Sequence, residues 1–514
     1  MNRSEYLLYR PNERRRSVAG LWFSVFAVFA VLYGLTCSRG VAWQDSGIFQ
    51  LRIFSGDLRG WMGLALAHPL FIALAQPVRW LPHGAQLWGV NFVSGFWAAV
   101  ALANLACLTA KLTGTRWAGL AVACMLGVSH TFWWLATITE TYTMQAALFT
   151  VELWLLVRLL DKPSGRRLAA LALVSGLGFS VHNLSLLALP VYLAVTGVLL
   201  AKRRIGWGAI GLAAVAWLAG ASLYLTLIVQ QAMATGDVLA TIRDALVGSY
   251  GADVLNMGTK ENPRGNVNMA LMAMNLASFL VPLGIVGQWK FPRRLGAPLA
   301  WALGAVAVME ITFVLRYPVA DQFTFILPGL VMIALAAGVG AVSLAKRSRA
   351  WRRVIVLACV LSIALPPVAQ FTAAKVLADH PMNATRRPFR QEMRYWLVPW
   401  KHNESSADQF ARLALFEAGP DGVILTDNTA HPAMVLTVDR TASRVGIHYD
   451  HAPDQDRSDL PVCGESPEAF IAALEHRGLW ATSPDAVPPA LRAVVTLEPD
   501  TLDDRMLHEV QIDR

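Results

Sequence analysis

The sequence has few charged residues and few cysteines, and both shortages limit what the protein can be. Only 15% of its 514 residues are charged, whereas a soluble domain has roughly a quarter. Its five cysteines form no Cys-x-x-Cys pair, and a His-Glu-x-x-His motif is absent. A structural zinc site and a disulfide framework therefore have no support. Fixed-period repeats and low-complexity tracts are absent too, which excludes a repeat protein.

Long apolar runs take the place of the missing charge. Hydrophobic residues make up 55% of the chain, the mean hydropathy is +0.44, and apolar runs recur from about residue 18 to about 373. Many have the ~20 residues that a helix needs to span a bilayer. A signal peptide would explain only the first run. The sequence therefore predicts a polytopic membrane protein.

The net charge of +9 is concentrated in short clusters beside the apolar runs. Short loops rich in Lys and Arg stay cytoplasmic, so the clusters predict topology and not nucleic-acid binding. The clusters are Arg14–Arg16, Lys162–Arg167, Lys202–Arg204, Lys290–Arg294 and Lys346–Arg353.

The clusters predict eleven spans, with a cytoplasmic N-terminus at 1–17 and a transmembrane domain at 18–374. The first span covers about 18–36, and an external loop at 37–85 follows it. Within that loop, the apolar stretch 62–79 is predicted to be juxtamembrane or re-entrant, because a span there would turn the later basic loops outward. The other spans are predicted near 86–110, 117–135, 142–160, 169–182, 184–200, 207–230, 270–287, 297–314, 324–345 and 353–373.

The tail at 375–514 is polar and contains no run long enough to span a membrane. Gly422–Asp427 and Ser443–His448 have the composition of short strands, and Ala469–Leu479 that of a helix. Strands alternating with helices predict a small extracytoplasmic α/β domain, which we expect to carry no catalytic residue. The predicted fold class is thus an all-α polytopic membrane protein with a small C-terminal α/β domain.

Polar and ionisable residues collect on the predicted outer face, where chemistry is expected because burying such groups in a membrane is costly. Each also has a simpler interpretation. Asp45 could cap a helix or sit in a turn, Trp133-Trp134 is most simply an interfacial aromatic belt, and Glu152 and Glu310 could be paired structurally. The candidates are Asp45, His68, His130, Glu140, Tyr142, His182, Arg243, Tyr250, Lys260, Arg264, Arg316 and Asp321.

Six short stretches follow one another in an order that is more specific than any one of them. They are Trp43–Ile48, His68–Leu70, Ser129–Trp133 with Glu140–Thr143, Gly176–Leu177 with His182, Gly236–Asp237 with Tyr250–Gly251, and Asp321 with Phe325–Pro328. Together they resemble the GT-C class of membrane glycosyltransferases. Within it, they resemble a bacterial family that includes a vertebrate endoplasmic-reticulum protein O-mannosyltransferase. The chain departs from that family in its extra Gln44, in Ile48 where an acid is usual, and in Leu70 where a second proline is usual.

The resemblance implies a glycosyltransferase that takes a sugar, mannose in the family, from a polyprenyl-phosphate carrier to a protein or glycan hydroxyl outside the cytoplasm. It implies a bacterial inner-membrane protein that acts in O-glycosylation of the cell envelope. Asp45 is then expected to be the base, with Glu140 as a second carboxylate. The basic candidates Arg243, Lys260, Arg264 and Arg316 are expected to hold the phosphate. The remaining candidates, His68, His130, Tyr142, His182, Tyr250 and Asp321, are expected to contact substrate.

No cofactor is expected, although two carboxylates could hold a divalent metal ion. Two other classes remain possible from the sequence alone. One is a transporter or lipid flippase, against which the chain lacks paired halves with matching interrupted segments. The other is a non-enzymatic envelope-assembly protein that uses the tail as its interaction module.

Overall fold

The computed structural model of the protein describes most of the chain. The described residues are 18–251, 271–272, 274–275, 278–317, 319, 321–378, 387–450, 457–461, 466–474, 477–492, 494–497 and 507–512.

The first part of the chain is an all-helical bundle. Its described helices are α1 (Ala19–Thr36), α2 (Gln44–Ser55), α3 (Pro69–Ala75), α4 (His83–Thr113), α5 (Arg116–Gly127), α6 (His130–Leu135), α7 (Tyr142–Asp161), α8 (Gly165–Val181), α9 (Leu189–Ala201), α10 (Trp207–Thr235), α11 (Val238–Val247), α12 (Leu280–Leu295), α13 (Ala297–Arg316), α14 (Leu327–Ala345) and α15 (Arg349–Val376).

Eight helices of the described chain are long and apolar enough to cross a membrane: α1, α4, α7, α10, α13, α15 and the two spans Asn183–Ala201 and Gln322–Ala345. Three further predicted spans correspond to shorter helices, α5, α8 and α12. The predicted span at 117–135 is in fact two helices, because the chain leaves helical geometry at Val128 and Ser129 between α5 and α6. The fold class is thus confirmed, with fewer full-length spans than the eleven expected.

The bundle is organised around α14, whose span is 89% buried, whereas the span at α1 is 17% buried. Small residues let neighbouring helices approach closely, as is common in membranes. A Cβ added to Gly176 on α8 would lie 2.2 Å from the carbonyl oxygen of Trp217 on α10. A larger residue there would force α8 and α10 apart.

One end of the bundle is basic and the other carries the polar candidates. Lys111, Arg158, Asp161 and Arg167 are close enough to influence one another electrostatically. They lie at the C-terminal ends of α4 and α7 and at the start of α8. Tyr142 opens α7, which at 1.5 Å per residue is about 30 Å long. The polar candidates near Tyr142 are therefore on the face opposite this basic cluster.

The tail folds as a small α/β domain, as the sequence predicts. Its described helices are α16 (Glu392–Leu397), α17 (Ser406–Ala418), α18 (His431–Thr441) and α19 (Pro467–Leu474). The strands β1 (Val423–Leu425), β2 (Gly446–His448), β3 (Leu479–Ala481), β4 (Val495–Leu497) and β5 (His508–Ile512) form a sheet in the order β2-β1-β3-β5-β4. The strands β2, β1 and β3 are parallel, whereas β5 is antiparallel to both β3 and β4. The predicted helix at 469–479 ends at Leu474, and Leu479 begins β3.

The tail is not a separate body, because it shares a hydrophobic core with the external loop. Trp43 packs against Phe410 of α17 with ring centroids 5.2 Å apart, and its indole N–H donates to the Ser406 hydroxyl at 2.8 Å. The stretch before α17 contacts the bundle as well, since the Lys401 N–H donates to the Thr36 carbonyl at 2.7 Å. The tail therefore covers the end of the bundle that carries the polar candidates.

Candidate functional site

A cavity of about 280 Å³ lies between the bundle and the external loop. One part of its wall is polar and includes several of the predicted site residues. Another part is apolar and is built mainly from the segment after α8, the end of α11 and the end of α13. The polar residues include Asp45, Arg52, His68, Glu140, Tyr142, His182 and Asp321; the apolar ones include Leu186, Leu187, Leu246, Val247, Phe313 and Val319.

In the Asp-Ser-Gly stretch at the start of α2, one residue faces the cavity, one forms a hydrogen bond to Glu140, and one allows a close backbone contact. Asp45 lies in the first turn and does not cap the helix, because the N-cap is Trp43 and makes no side-chain capping bond. Its side chain faces the cavity. The Ser46 hydroxyl donates to Glu140 Oε1 at 2.9 Å. A Cβ on Gly47 would lie 2.3 Å from the Ala42 carbonyl oxygen, so only glycine allows this approach.

The two carboxylates differ in how they are held. Asp45 is exposed to the cavity but surrounded by protein atoms, and the resulting desolvation, followed by the charge of Asp321, raises its pKa to about 6. Burial, followed by the charge of Asp45, raises the pKa of Glu140 well above its usual range. Glu140 is also fixed through its backbone, since its N–H donates to the Ser94 hydroxyl at 2.8 Å. Asp45 therefore has the properties of an accessible base near neutral pH, and Glu140 those of a fixed neighbour.

A buried polar network holds α2 against α4 and the loop before α7. The Asn91 amide oxygen on α4 accepts from Gln50 Nε2 at 3.0 Å and from the Thr139 hydroxyl at 2.9 Å. The Gln50 Oε1 atom accepts from the Ala42 N–H at 2.9 Å. Fully paired networks of this kind are rigid, so the distance between Asp45 and Glu140 is set by packing and hydrogen bonds outside the cavity.

The tail holds the residue before Asp45. Gln44, the extra residue relative to the resembled family, has a left-handed backbone with φ of 56°. Its N–H donates to the Thr429 carbonyl of the tail at 3.1 Å. A positive φ is uncommon for a residue other than glycine and costs about 1–3 kcal/mol. This contact with the tail helps to maintain the strained backbone next to the candidate base.

Arg52 is a cavity residue that the sequence analysis missed. It is 2% exposed, and its guanidinium donates to the carbonyls of Asp57, Leu58, Leu66 and Ala67 at 2.6–3.2 Å. Burial lowers the pKa of Arg52 to about 10, so it stays charged at neutral pH. Its spacing of seven residues from Asp45 places both on one face of α2, and that spacing was the available signal.

Tyr142, His68 and His182 form one aromatic group in the cavity wall. The rings of His68 and His182 stack with centroids 4.9 Å apart, and Tyr142 lies 5.1 Å from His182. Asp321 lines the same cavity. The structure therefore brings together six predicted site residues that come from distant parts of the chain.

Three predicted site residues of the described chain, His130, Arg243 and Arg316, are not in the cavity wall. His130 is fully buried, and its Nε2 lies 2.7 Å from the Trp396 carbonyl, so it contacts the tail. Arg243 on α11 and Arg316 at the end of α13 are exposed and do not line the cavity. Tyr250 ends a 3₁₀ turn just after α11. Lys260 and Arg264 lie outside the described residues.

The aromatic-belt interpretation of Trp133 and Trp134 is wrong. Both are buried, and the Trp134 indole N–H donates to the Tyr395 carbonyl of the tail at 3.1 Å. The tail covers these rings, so they do not lie at a lipid interface.

As for a metal site, no group of three or more His, Cys, Asp or Glu side chains able to hold an ion is found in the described part of the chain.

Two solved structures of known proteins share this architecture. ArnT from Cupriavidus metallidurans, crystallised with undecaprenyl phosphate, aligns with a TM-score of 0.61 and 14% identity over 96% of this chain and 97% of that one. An oligosaccharyltransferase of Archaeoglobus fulgidus, in a complex with Zn and sulfate, aligns with a TM-score of 0.50 and 11% identity over 91% of this chain and 68% of that one. The chain therefore has the GT-C fold, as its sequence resemblance predicts.

The sequence itself gives the more particular match. Residues 64–204 match the family model described as the N-terminal domain of the protein O-mannosyl-transferase TMEM260. No curated protein matches the chain significantly. Residues 64–204 thus resemble a protein O-mannosyltransferase domain, and the chain as a whole has the GT-C fold.

Proposed function

We propose that the protein transfers mannose from a polyprenyl-phosphate carrier to a hydroxyl group of a protein or glycan acceptor outside the cytoplasm. The observation that carries the proposal is a cavity in which the open Asp45 carboxylate faces polar groups at one part of the wall, while another part is apolar. The choice of sugar is supported by the name of the matched family. The lipid carrier is supported by the undecaprenyl phosphate bound to ArnT.

In the proposed reaction, Asp45 takes the proton of the acceptor hydroxyl as its oxygen bonds to the anomeric carbon. The bond from that carbon to the phosphate oxygen breaks, and polyprenyl phosphate leaves with the electron pair. Attack opposite the leaving group inverts the anomeric centre. Glu140 orients the acceptor or the sugar hydroxyls, and the polyprenyl chain lies along the apolar wall.

The departing phosphate needs positive charge. Arg52 is the one lysine or arginine among the described residues of the cavity wall, but backbone carbonyls occupy most of its N–H groups. We propose that Arg52 supplies charge to the cavity and shapes the loop, while Arg243, Lys260, Arg264 or Arg316 approaches the phosphate when the donor binds. No metal is required in this scheme.

The decisive test uses the purified full-length chain in lipid nanodiscs with radiolabelled undecaprenyl-phosphate mannose and envelope proteins and glycans as acceptors. We expect label to appear in an acceptor and undecaprenyl phosphate to be released in equal amount. Label that stays on the lipid with every acceptor fraction would contradict the proposal. Mass spectrometry of envelope proteins and glycans from cells with and without the protein then identifies the acceptor.

We also propose that the protein lies in a bacterial inner membrane, with its N-terminus in the cytoplasm and both the cavity and the tail outside. The support is the position of the basic clusters beside the apolar runs. A periplasm-dependent reporter fused after residue 380 should be active. An inactive reporter in a well-expressed fusion, together with an active one fused after residue 204, would reverse the orientation.

A further inference from the structure

The stacked pair His68 and His182 has its tautomers fixed by the backbone. His68 Nδ1 lies 2.7 Å from the Val181 carbonyl oxygen, and His182 Nδ1 lies 3.1 Å from the Leu184 nitrogen, which donates to it. A carbonyl can only accept and a backbone N–H can only donate. His68 Nδ1 therefore carries a hydrogen, whereas His182 Nδ1 must be unprotonated and places its hydrogen on Nε2.

The two rings consequently offer opposite hydrogen-bonding groups at their remaining nitrogens. Burial, helped by the neighbouring His182 and Arg52, lowers the pKa of His68 well below its usual range, so His68 is neutral. The neutral ring has a lone pair on Nε2 and can accept there. The neutral His182 ring donates from Nε2. The two rings stack with their centroids 4.9 Å apart, and both residues line the cavity.

The chemistry of such a pair selects its ligand. A phosphate oxygen without a proton only accepts, so it would face the lone pair of His68 unfavourably. An ammonium group only donates, so it would be opposed by the His182 N–H. A hydroxyl group donates and accepts at once, and it matches both nitrogens.

We propose that His68 and His182 bind one ring hydroxyl of the transferred sugar, and not the phosphate or a charged amino group. This inference rests on the proposed function and adds the part of the donor that this pair recognises. Phe49 and Tyr142 pack on the pair with centroids 5.5 Å from His68 and 5.1 Å from His182. These contacts help to keep the two rings in place.

The backbone supports a functional role for this geometry. His68 is left-handed, with φ of 46° and ψ of 46°, and it directly precedes Pro69, the first residue of α3. Proline disfavours helical conformations in the residue before it. Strained residues held by their surroundings tend to cluster at functional sites. Here the surroundings include the hydrogen bond to Val181, which joins α3 to the end of α8.

The test compares two lipids on the full-length protein in nanodiscs: undecaprenyl phosphate, and undecaprenyl-phosphate mannose. Replacing His182→Phe or His68→Phe keeps an aromatic ring but removes the hydrogen bond. We expect each variant to bind the mannose-bearing lipid roughly three- to tenfold more weakly, the loss typical of one hydrogen bond, and to bind undecaprenyl phosphate as wild type does. His83→Phe, a change at an exposed histidine outside the cavity wall, is the matched control.

If the variants bind both lipids more weakly by the same factor, the pair lies at the phosphate or the variants have lost their fold. If the variants bind both lipids as wild type does, the pair does not contact the donor. Either result overturns the inference while the proposed function stands. A wild-type protein that binds neither lipid contradicts the proposed function, and the inference fails with it.

Conservative replacements separate recognition from packing. His182→Gln places an amide N–H near the position of Nε2 and should restore discrimination between the two lipids, whereas His182→Glu offers only acceptors when ionised and should not. Donors that lack one hydroxyl each identify the contact: the hydroxyl whose removal makes wild type and His182→Phe bind alike is the one recognised. If every deoxy donor leaves the difference intact, the inference is wrong.

Discussion

Glu140 at the cavity and the two acids inside the bundle are all buried, whereas Asp45 is exposed to the cavity. Glu152 and Glu310, on α7 and α13, are each 1% exposed. Tyr192 donates to Glu152 at 2.8 Å, and neither carboxylate oxygen of Glu310 has a hydrogen-bond partner among the described residues. Asp45, in contrast, opens on the cavity, and its neighbour Ser46 links it to Glu140.

The difference shows that burial of a carboxylate does not by itself mark a reaction site. A substrate can reach the cavity acids, and a hydrogen-bonded polar network holds the helix that carries Asp45. The strained residues Gln44 and His68 also lie in or beside the cavity wall. The inner pair has none of these features in the described chain. Replacing either inner glutamate with glutamine therefore serves as a control for the carboxylate-to-amide changes at the cavity.

The largest expected effect comes from Asp45→Asn. An amide has almost the shape of a carboxylate but cannot take the acceptor proton, so turnover should fall by about 10²–10⁴-fold. Binding of undecaprenyl phosphate should persist. Glu152→Gln makes the same chemical change in the inner pair and should retain turnover. Near-normal turnover of Asp45→Asn, measured with a defined donor and acceptor, would assign the base elsewhere, to Asp57 or Glu140.

The next largest effect is expected for Arg52→Met. The change leaves up to four carbonyls without a donor, at roughly 1–3 kcal/mol for each one that stays buried. The loop should loosen, so thermal unfolding should occur at a lower temperature and turnover should fall. Arg52→Lys should recover part of both. Arg59→Met, on the exposed side of the same loop, is the control; an equal effect of both changes would refute a special role for Arg52.

Asp321→Asn should change the pH dependence of transfer. A base must be deprotonated, so activity rises with pH through the pKa of Asp45, which is about 6. Because the charge of Asp321 contributes to raising that pKa, its removal should lower it and move the acid limb of kcat/KM to lower pH. Glu310→Gln should leave the limb in place. A limb that moves to higher pH in Asp321→Asn would contradict the electrostatic coupling.

The smallest effect is expected where the tail contacts the cavity wall. Trp61 lines the cavity, and its indole N–H donates to Asn428 Oδ1 of the tail at 3.3 Å. Asn428→Ala removes this hydrogen bond and the one that the same oxygen accepts from the Tyr449 hydroxyl. Each is about 0.5–1.5 kcal/mol, and only the first reaches the cavity wall, so we expect a few-fold lower kcat/KM for the acceptor. The exposed Asn403→Ala is the control. No change in Asn428→Ala would mean that the tail does not adjust this wall.

Much of the fold could be predicted because the relevant signals are local. An apolar run has the length of the bilayer wherever it occurs, and strand-like runs in the tail are visible residue by residue. The ends of the short helices could not be predicted in this way. The two residues that separate α5 from α6 have the same apolar surroundings as the rest of the predicted span. Apolar composition does not show where a helix breaks.

Half of the candidate site could be predicted from motif order, and the rest depended on distant contacts. His130 lies in a motif and Trp134 directly follows it, yet their partners Trp396 and Tyr395 are 266 and 261 residues away. Nothing near them in sequence indicates that the tail covers them. The exposed positions of Arg243 and Arg316 likewise depend on how α11 and α13 pack.

The sequence by itself determined the membrane class, the α/β tail and the order of the site motifs, because hydrophobic length, strand composition and residue order are properties of short segments. Only the tertiary structure decided that Arg52 is the buried cation of the described cavity wall, that His68 and His182 stack, and that the tail lies over α2. These facts arise from hydrogen bonds and packing between segments far apart in the chain. Their geometry is fixed only when the whole chain has folded.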